Sequence, residues 1–309
     1  MALTLVEAAK LNSGDVIRSS IIEMFARQSD ILQVLPFENI SGNALKYNRE
    51  EALPGIGFRG VNEAFSESTG VLNPIVESLT IAGGDLDVDR FIVQTQGSAQ
   101  RSTHEALKVK SLADTWTTKF IKGSNGDEPR EFDGLQVRLT GTQLMAAGST
   151  ANGDALSLLK LDELIDRTDN PTHLLMSKSM RRRLTQAARN TAVGGFITYG
   201  VDAFGRQITK YNDIPILVAY SGNGGTEPIA FDEANPGGGT ATGTSIYALS
   251  MGSGRLVGIQ NGTMDVRDLG ELDEKPVWRT RVEWYSAIAM YHGRAAARLW
   301  GISDAAVVA

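Results

Sequence analysis

Residues 35–84 constrain this 309-residue chain more than any other stretch. Two strand-like flanks, Ala44-Leu-Lys-Tyr-Asn-Arg49 and Ile75-Val-Glu-Ser-Leu-Thr-Ile-Ala82, enclose a middle that holds Pro54, Gly55, Gly57, Gly60, Gly70 and Pro74. Sequence so rich in glycine and polar residues cannot form a core, and an isolated two-stranded ribbon is marginal in water. A loop longer than about 12 to 15 residues without structure of its own is usually functional or disordered, and the regular flanks argue against disorder. The segment reads as an arm that another molecule holds.

The remainder is an ordinary globular mix, 42% hydrophobic and 21% charged, long enough for one large domain or two average ones. A net charge of −6 argues against coating nucleic acid by bulk attraction, which needs many Lys and Arg to neutralise phosphates. The absence of cysteine excludes disulfides, thiolate metal sites and a cysteine nucleophile. The first ten residues have no basic n-region, and no run reaches the ~18 apolar residues of a membrane span. The chain is therefore expected to be made in the cytosol, with no membrane partner.

Two short helices are expected first, one from the capping box Thr4–Glu7 and one after Ser13 with Ile17, Ile21 and Phe25 on a single face. Phe25, Leu32, Leu35 and Phe37 continue as an irregular apolar run that needs a surface, either the chain's own body or a neighbour's. Beyond the hairpin, residues 87–94 read as a strand leading into the longest helix, 102–122, capped by Ser102 and Glu105 and stopped at Gly123. Its inward stripe is Ala106, Val109, Ala113, Trp116 and Phe120. Later come a helix carrying Leu158, Leu161, Leu164 and Ile165, a buried strand at 172–176, and a helix capped by Ser177. Strands are expected at 196–199, 206–211, 214–219, 245–250, 262–267 and 277–291, with a glycine-rich insertion at 221–243. The order is α+β, without a regular βαβ repeat.

Catalytic signals are weak. His104, His173 and His292 are far apart and read as structural or surface residues. No nucleophile elbow, phosphate loop or dinucleotide fingerprint occurs, so no cofactor is expected and the chain is not expected to be an enzyme. Asp85, Asp87 and Asp89 alternate, but Arg90 and Gln96 stand where a calcium loop needs Gly and Glu, so a solvated strand face is the reading. Arg181, Arg182 and Arg183 point three ways on a helix and read as a solvated face or inter-subunit ion pairs rather than a single phosphate clamp.

The order of parts resembles the major capsid proteins of tailed bacteriophages, the Hong Kong 97-like fold. Particular stretches are also similar to a subgroup of these coat proteins: Leu35-Pro-Phe-Glu-Asn39, Tyr47-Asn-Arg-Glu50, Phe58-Arg-Gly-Val-Asn-Glu63, Ile81-Ala-Gly-Gly-Asp-Leu-Asp87, Phe132-Asp-Gly-Leu135 and Asp265-Val-Arg-Asp-Leu-Gly270. The resemblance implies an N-terminal arm at 1–40, an E-loop at 41–84, a P-domain at 85–138 with its spine helix at 102–122, an A-domain at 139–259, and a return to the P-domain at 260–309.

It further implies self-assembly through pentamers and hexamers into an icosahedral shell around double-stranded DNA, in a virion built in the host cytoplasm. The implied partners are copies of the chain, with scaffolding, portal and decoration proteins and non-specific DNA contact as further possibilities. Arg49, Glu50, Glu51, Arg59, Glu63 and Glu67 are the candidate E-loop contacts, and Phe25, Leu32, Leu35 and Phe37 the candidate N-arm contacts. Lys46 is the only lysine of the hairpin, and it sits on a flank, so a shell without isopeptide cross-links is expected. An encapsulin-type compartment around a cargo enzyme is the main alternative. A decoration or tail-tube protein, and a hydrolase using Asp or Glu, are the others.

Overall fold

The computed structural model describes residues 3–5, 24–25, 29–97, 99–149, 152–189, 196–201, 205, 207–219 and 227–308. Both expected N-terminal helices fall almost wholly outside these residues, as does 221–226 of the glycine-rich insertion.

The first layer is a six-stranded sheet of Leu3–Thr4 (β1), Pro36–Asn39 (β2), Thr80–Asp89 (β5), Leu256–Gln260 (β13), Asp265–Glu271 (β14) and Val277–Met290 (β15). β15 is the axis: β5 pairs along one edge, while β13 and β14 follow each other along the opposite edge. The long helix Ala99–Lys122 (α3) lies against this sheet, with Val109, Ala113, Trp116 and Phe120 buried at spacings of four, three and four. Trp116 is the hub. Its ring centroid lies 5.5 to 5.9 Å from those of Phe37, Phe120, Phe132 and Trp284, and Phe25 meets Trp284 edge-on at 5.2 Å. Both indole N–H groups are satisfied, Trp116 donating to Ser286 Oγ at 3.1 Å and Trp284 to Gln260 Oε1 at 3.0 Å.

This core absorbs the N-terminal run. Phe25, Leu32, Leu35 and Phe37 are all buried in it, with Leu32 on the short helix Asp30–Val34 (α1) and Phe37 on β2. Of the two surfaces the run could lie on, it is the chain's own body that covers these four side chains. Three boundaries also shift. The second hairpin flank is two strands, because Val71–Ser78 (β4) pairs with the hairpin and β5 with β15. The strand expected at 87–94 ends at Asp89, whose carboxylate accepts Phe91 N–H at 2.7 Å and caps the helix Arg90–Gln96 (α2). Ser102 and Glu105 lie inside α3 rather than at its start, and Glu105 accepts from Thr280 Oγ1 instead.

The second layer is an eight-stranded sheet ordered β6-β16-β12-β7-β10-β9-β8, with β11 beside β12. Its strands are Leu144–Ala146 (β6), His173–Ser177 (β7), Ile197–Val201 (β8), Gln207–Tyr211 (β9), Ile214–Ala219 (β10), Glu233–Ala234 (β11), Thr242–Leu249 (β12) and Ala296–Ile302 (β16). β7 reads as a continuous apolar run because it is central, parallel to β10 and antiparallel to β12. The helices Leu158–Arg167 (α5) and Lys178–Ala187 (α6) cover one face through Leu158, Leu161, Leu164, Met180 and Leu184. Ser177 Oγ accepts Met180 N–H at 3.1 Å, as its position ahead of α6 predicts. The opposite face, with Leu175, Leu217, Tyr247 and Leu249, belongs to the core beneath α3.

β16 was not among the expected strands, and it places residues 296–302 in this second layer, apart from β13, β14 and β15. Arg298 hides the strand, since a charge inside an apolar run reads as a surface residue. Here it is buried against Glu233 at 3.2 Å, and Glu233 also accepts from Ser245 at 2.5 Å and from Gln136, on the single turn Leu135–Arg138 (α4), at 2.8 Å.

Gly258 of β13 stands in register with Phe37 of β2, and a Cβ there would sit 2.3 Å from two ring carbons. Gly258→Ala should therefore lower stability by about 1–3 kcal/mol in denaturant unfolding, without altering the isolated helices' signal. Burial lowers the His173 imidazole pKa from 6.5 to about 4. The folded state keeps it neutral while the unfolded state takes up a proton, so this stabilisation is complete above pH 6.5 and declines toward pH 4. Urea midpoints should fall across that window by the equivalent of about 2–3 kcal/mol more than in His173→Gln.

Candidate assembly interface

The strands Ala44–Ala52 (β3) and β4 pair only with each other, from Ala44 opposite Ser78 to Ala52 opposite Val71, and form a sheet of their own. Pro74 is tolerated because a ribbon of two strands is all edge, and its missing N–H breaks no inner ladder. A register shift between Glu50 and Ala52 leaves Glu51 as the extra residue of a bulge.

Beyond the strands, residues 53–70 carry no regular structure and no buried side chain. Backbone and polar contacts shape the tip instead. Gly55 N–H donates to Ser68 Oγ at 2.7 Å, Gly60 N–H to Glu63 Oε2 at 2.8 Å, and Arg59 to the Glu63 carbonyl at 3.1 Å, with its guanidinium 5.1 Å from the Phe65 ring centre. Ile56, Phe58 and Val61 are more than 90% exposed, and Leu53 and Phe65 are exposed beside them. Five large apolar side chains on one projecting finger form a patch of the kind that marks an interaction surface.

The root of the finger is the opposite in character. Glu77 of β4 and Arg138 of α4 form a two-pronged ion pair whose side chains are 12% and 11% exposed, one prong at 2.7 Å. Tyr47 of β3 donates to the Met290 carbonyl at 3.0 Å, lies 3.3 Å from Glu77 Oε1, and meets the Tyr291 ring at 4.7 Å. Tyr291 in turn donates to Glu38 at 2.7 Å. Burial, then the Glu77 charge, raises the Tyr47 pKa, and burial with the Glu38 hydrogen bond raises that of Tyr291, so both phenols stay protonated.

The expected contact residues divide accordingly. Arg59 and Glu63 meet each other at the tip, while Glu67 is exposed nearby. Arg49 and Glu50 lie lower, lining a cleft of about 810 Å³ with Arg138, His292 and Arg294. Glu77, Arg138 and Tyr47 were not among the expected site residues. The available signal was a charge on the inward side of an alternating strand, since Ile75 and Glu77 point inward while Val76 and Ser78 point out.

The alternating aspartates prove to be more than a solvated face. Asp85 and Asp87 stand directly opposite Arg281 and Arg279, each joined by two hydrogen bonds of 2.6 to 2.8 Å, and these bonds hold both carboxyls below their usual range. Asp89 caps α2 instead. Among the described residues no group of three or more His, Asp or Glu is arranged to hold a metal ion, and no helix is long and apolar enough to cross a membrane.

No protein-family model matches the chain, and no curated protein matches it in sequence. Its fold is similar to that of a chain in the holo-SrpI encapsulin complex from Synechococcus elongatus PCC 7942, with a TM-score of 0.63 and 16% identity over 90% of this chain and 89% of that one. It is also similar to the capsid of the native GTA particle, at TM-score 0.61 and 12% identity over 89% and 91%. A structure from Mycobacterium phage Bobi gives TM-score 0.60 and 13% identity over 88% and 90%. With about nine-tenths of each chain matched, the two sheet layers, the long helix and the free-standing hairpin make up the Hong Kong 97-like capsid fold, which this chain adopts.

Proposed function

We propose that this chain is a major capsid protein that polymerises through five-fold and six-fold rings into a closed icosahedral shell around double-stranded DNA. The observation that carries the reading is the finger at 53–70, which exposes five large apolar side chains and folds back on nothing. Burying them against a neighbouring copy would contribute about 1.5–3 kcal/mol each before the cost of ordering. The bare edges of β3 and β4 offer unpaired backbone groups for strand addition from the same neighbour. Exposed pairs such as those open to Arg49 or Glu67 add at most about 1 kcal/mol each. Repetition supplies the strength, because every copy is held by several others.

The first layer with α3 corresponds to the peripheral domain in this reading, and the second layer to the axial domain near the ring centres. A structural role rather than catalysis follows, with the virion capsid as the chain's place. An encapsulin-type shell is the second reading, favoured by the similarity to the SrpI complex. Contents separate the two: nuclease-resistant double-stranded DNA in purified shells supports the capsid, and a packaged protein supports the compartment.

Replacing residues 53–70 with Asn-Gly, a two-residue hairpin turn, should leave the circular dichroism and thermal midpoint of the subunit intact while abolishing shells in negative-stain electron microscopy. Normal shells from that variant would remove the basis of the proposal. Glu77→Gln leaves Arg138 buried and unpaired, so the finger should loosen at its root. Amide exchange across residues 44–78 should quicken by about tenfold or more, with little change in the sheet strands β7 and β12.

A further inference from the structure

The arginine run at 181–183 is not absorbed by the shell reading. α6 turns Arg183 aside to Asp304, which accepts from its Nε at 3.0 Å and its Nη2 at 2.7 Å. Arg181 and Arg182 instead share a stripe with Lys178 and Thr185, at spacings of three and four, so four side chains fall on one face of the helix. Arg183 thus parts from the other two, as consecutive positions on a helix dictate. Two of them converge, and a lysine one turn earlier joins them.

The stripe faces a wall made by the β8–β9 hairpin. In that ladder Ile197 pairs with Tyr211, Tyr199 with Thr209 and Val201 with Gln207, so these six lie on one side of the ribbon. Ile197 and Tyr211 close the core, Thr209 is nearly buried, and Tyr199 and Val201 emerge at 55% and 69% exposure. Between wall and stripe is a cleft of about 350 Å³, within the range of small-ligand sites. None of the described residues lining it is acidic, although the chain as a whole carries −6. Like charges at these spacings weaken a helix, so the stripe costs α6 some stability of its own.

We propose that this cleft binds a nucleotide unit, its phosphate on the Arg181 and Arg182 guanidiniums and its base against the Tyr199 ring. Guanidinium forks match phosphate oxygens in pairs, and an exposed tyrosine face accepts any base by stacking. Gln207 and the hydroxyls of Thr185 and Thr209 supply hydrogen-bonding groups along the floor. The site does not depend on the finger or on the shell reading.

The test is fluorescence anisotropy of the full chain with a short fluorescein-labelled oligothymidylate, in competition with thymidine monophosphate and with poly-glutamate. Combined Arg181→Glu and Arg182→Glu should weaken binding about tenfold or more and reduce the dependence on salt. Tyr199→Ala should weaken it about fivefold or more. A control with the same charge change at the exposed Arg130 and Lys275, both to Glu, should stay within about twofold of the parent chain. Unchanged thermal midpoints establish that each variant is folded. Displacement by the mononucleotide at similar concentration identifies a free nucleotide as ligand, and displacement by the oligonucleotide alone identifies a strand. Equal losses in cleft and control variants, no binding by the parent chain, or stronger displacement by poly-glutamate would each overturn the proposal.

Discussion

The Glu77–Arg138 pair is the constraint on which the hairpin depends. A two-stranded ribbon with bare edges has no core, so its direction in space is set entirely where it leaves the body. At that point several polar contacts gather: a nearly buried two-pronged ion pair, a tyrosine bonded to a main-chain carbonyl, and a second tyrosine tied to Glu38. Hydrophobic side chains there would pack in several ways, whereas a guanidinium fork on a carboxylate fixes an angle. The ribbon thus leaves the body in a defined direction, while its tip retains only local backbone and polar contacts.

The platform under this root is stiff for a different reason. Trp116, Trp284, Phe37 and Phe25 come from α3, the long strand β15, the inner strand β2 and the N-terminal run, and the other three rings each lie within 6 Å of Trp284. Four segments far apart in sequence cannot shift separately once these rings are packed. On the other side of β15, the arginine–aspartate ladder pairs the charges of the sheet face it covers.

What could be read from the sequence was whatever had a local cause. The apolar stripe of α3, the Ser177 cap, the buried run of β7 and the coreless hairpin each follow from residues within a few positions of one another. What escaped had causes far away in the chain. β16 carries a charge that only Glu233 makes acceptable inside a sheet, and Arg138 owes its burial to Glu77, 61 positions earlier. The aspartates of β5 gave the right exposed face but not their arginine partners, because strand register across nearly 200 residues leaves no local trace. The cleft shared by Arg181, Arg182 and Tyr199 likewise required knowing that the β8–β9 hairpin stands beside α6.

β16 lies between β12 and β6, joined to one in antiparallel and to the other in parallel fashion. Until residues 296–302 have cleared the ribosome, β6 is unpaired and the inner edge of β12 stands open. Arg298 is then also missing from Glu233, so the buried acid has no counter-charge. The same seven residues thus complete the pairing of β6 and β12 and bring Arg298 to Glu233, so strand closure and charge compensation in the second layer are one event.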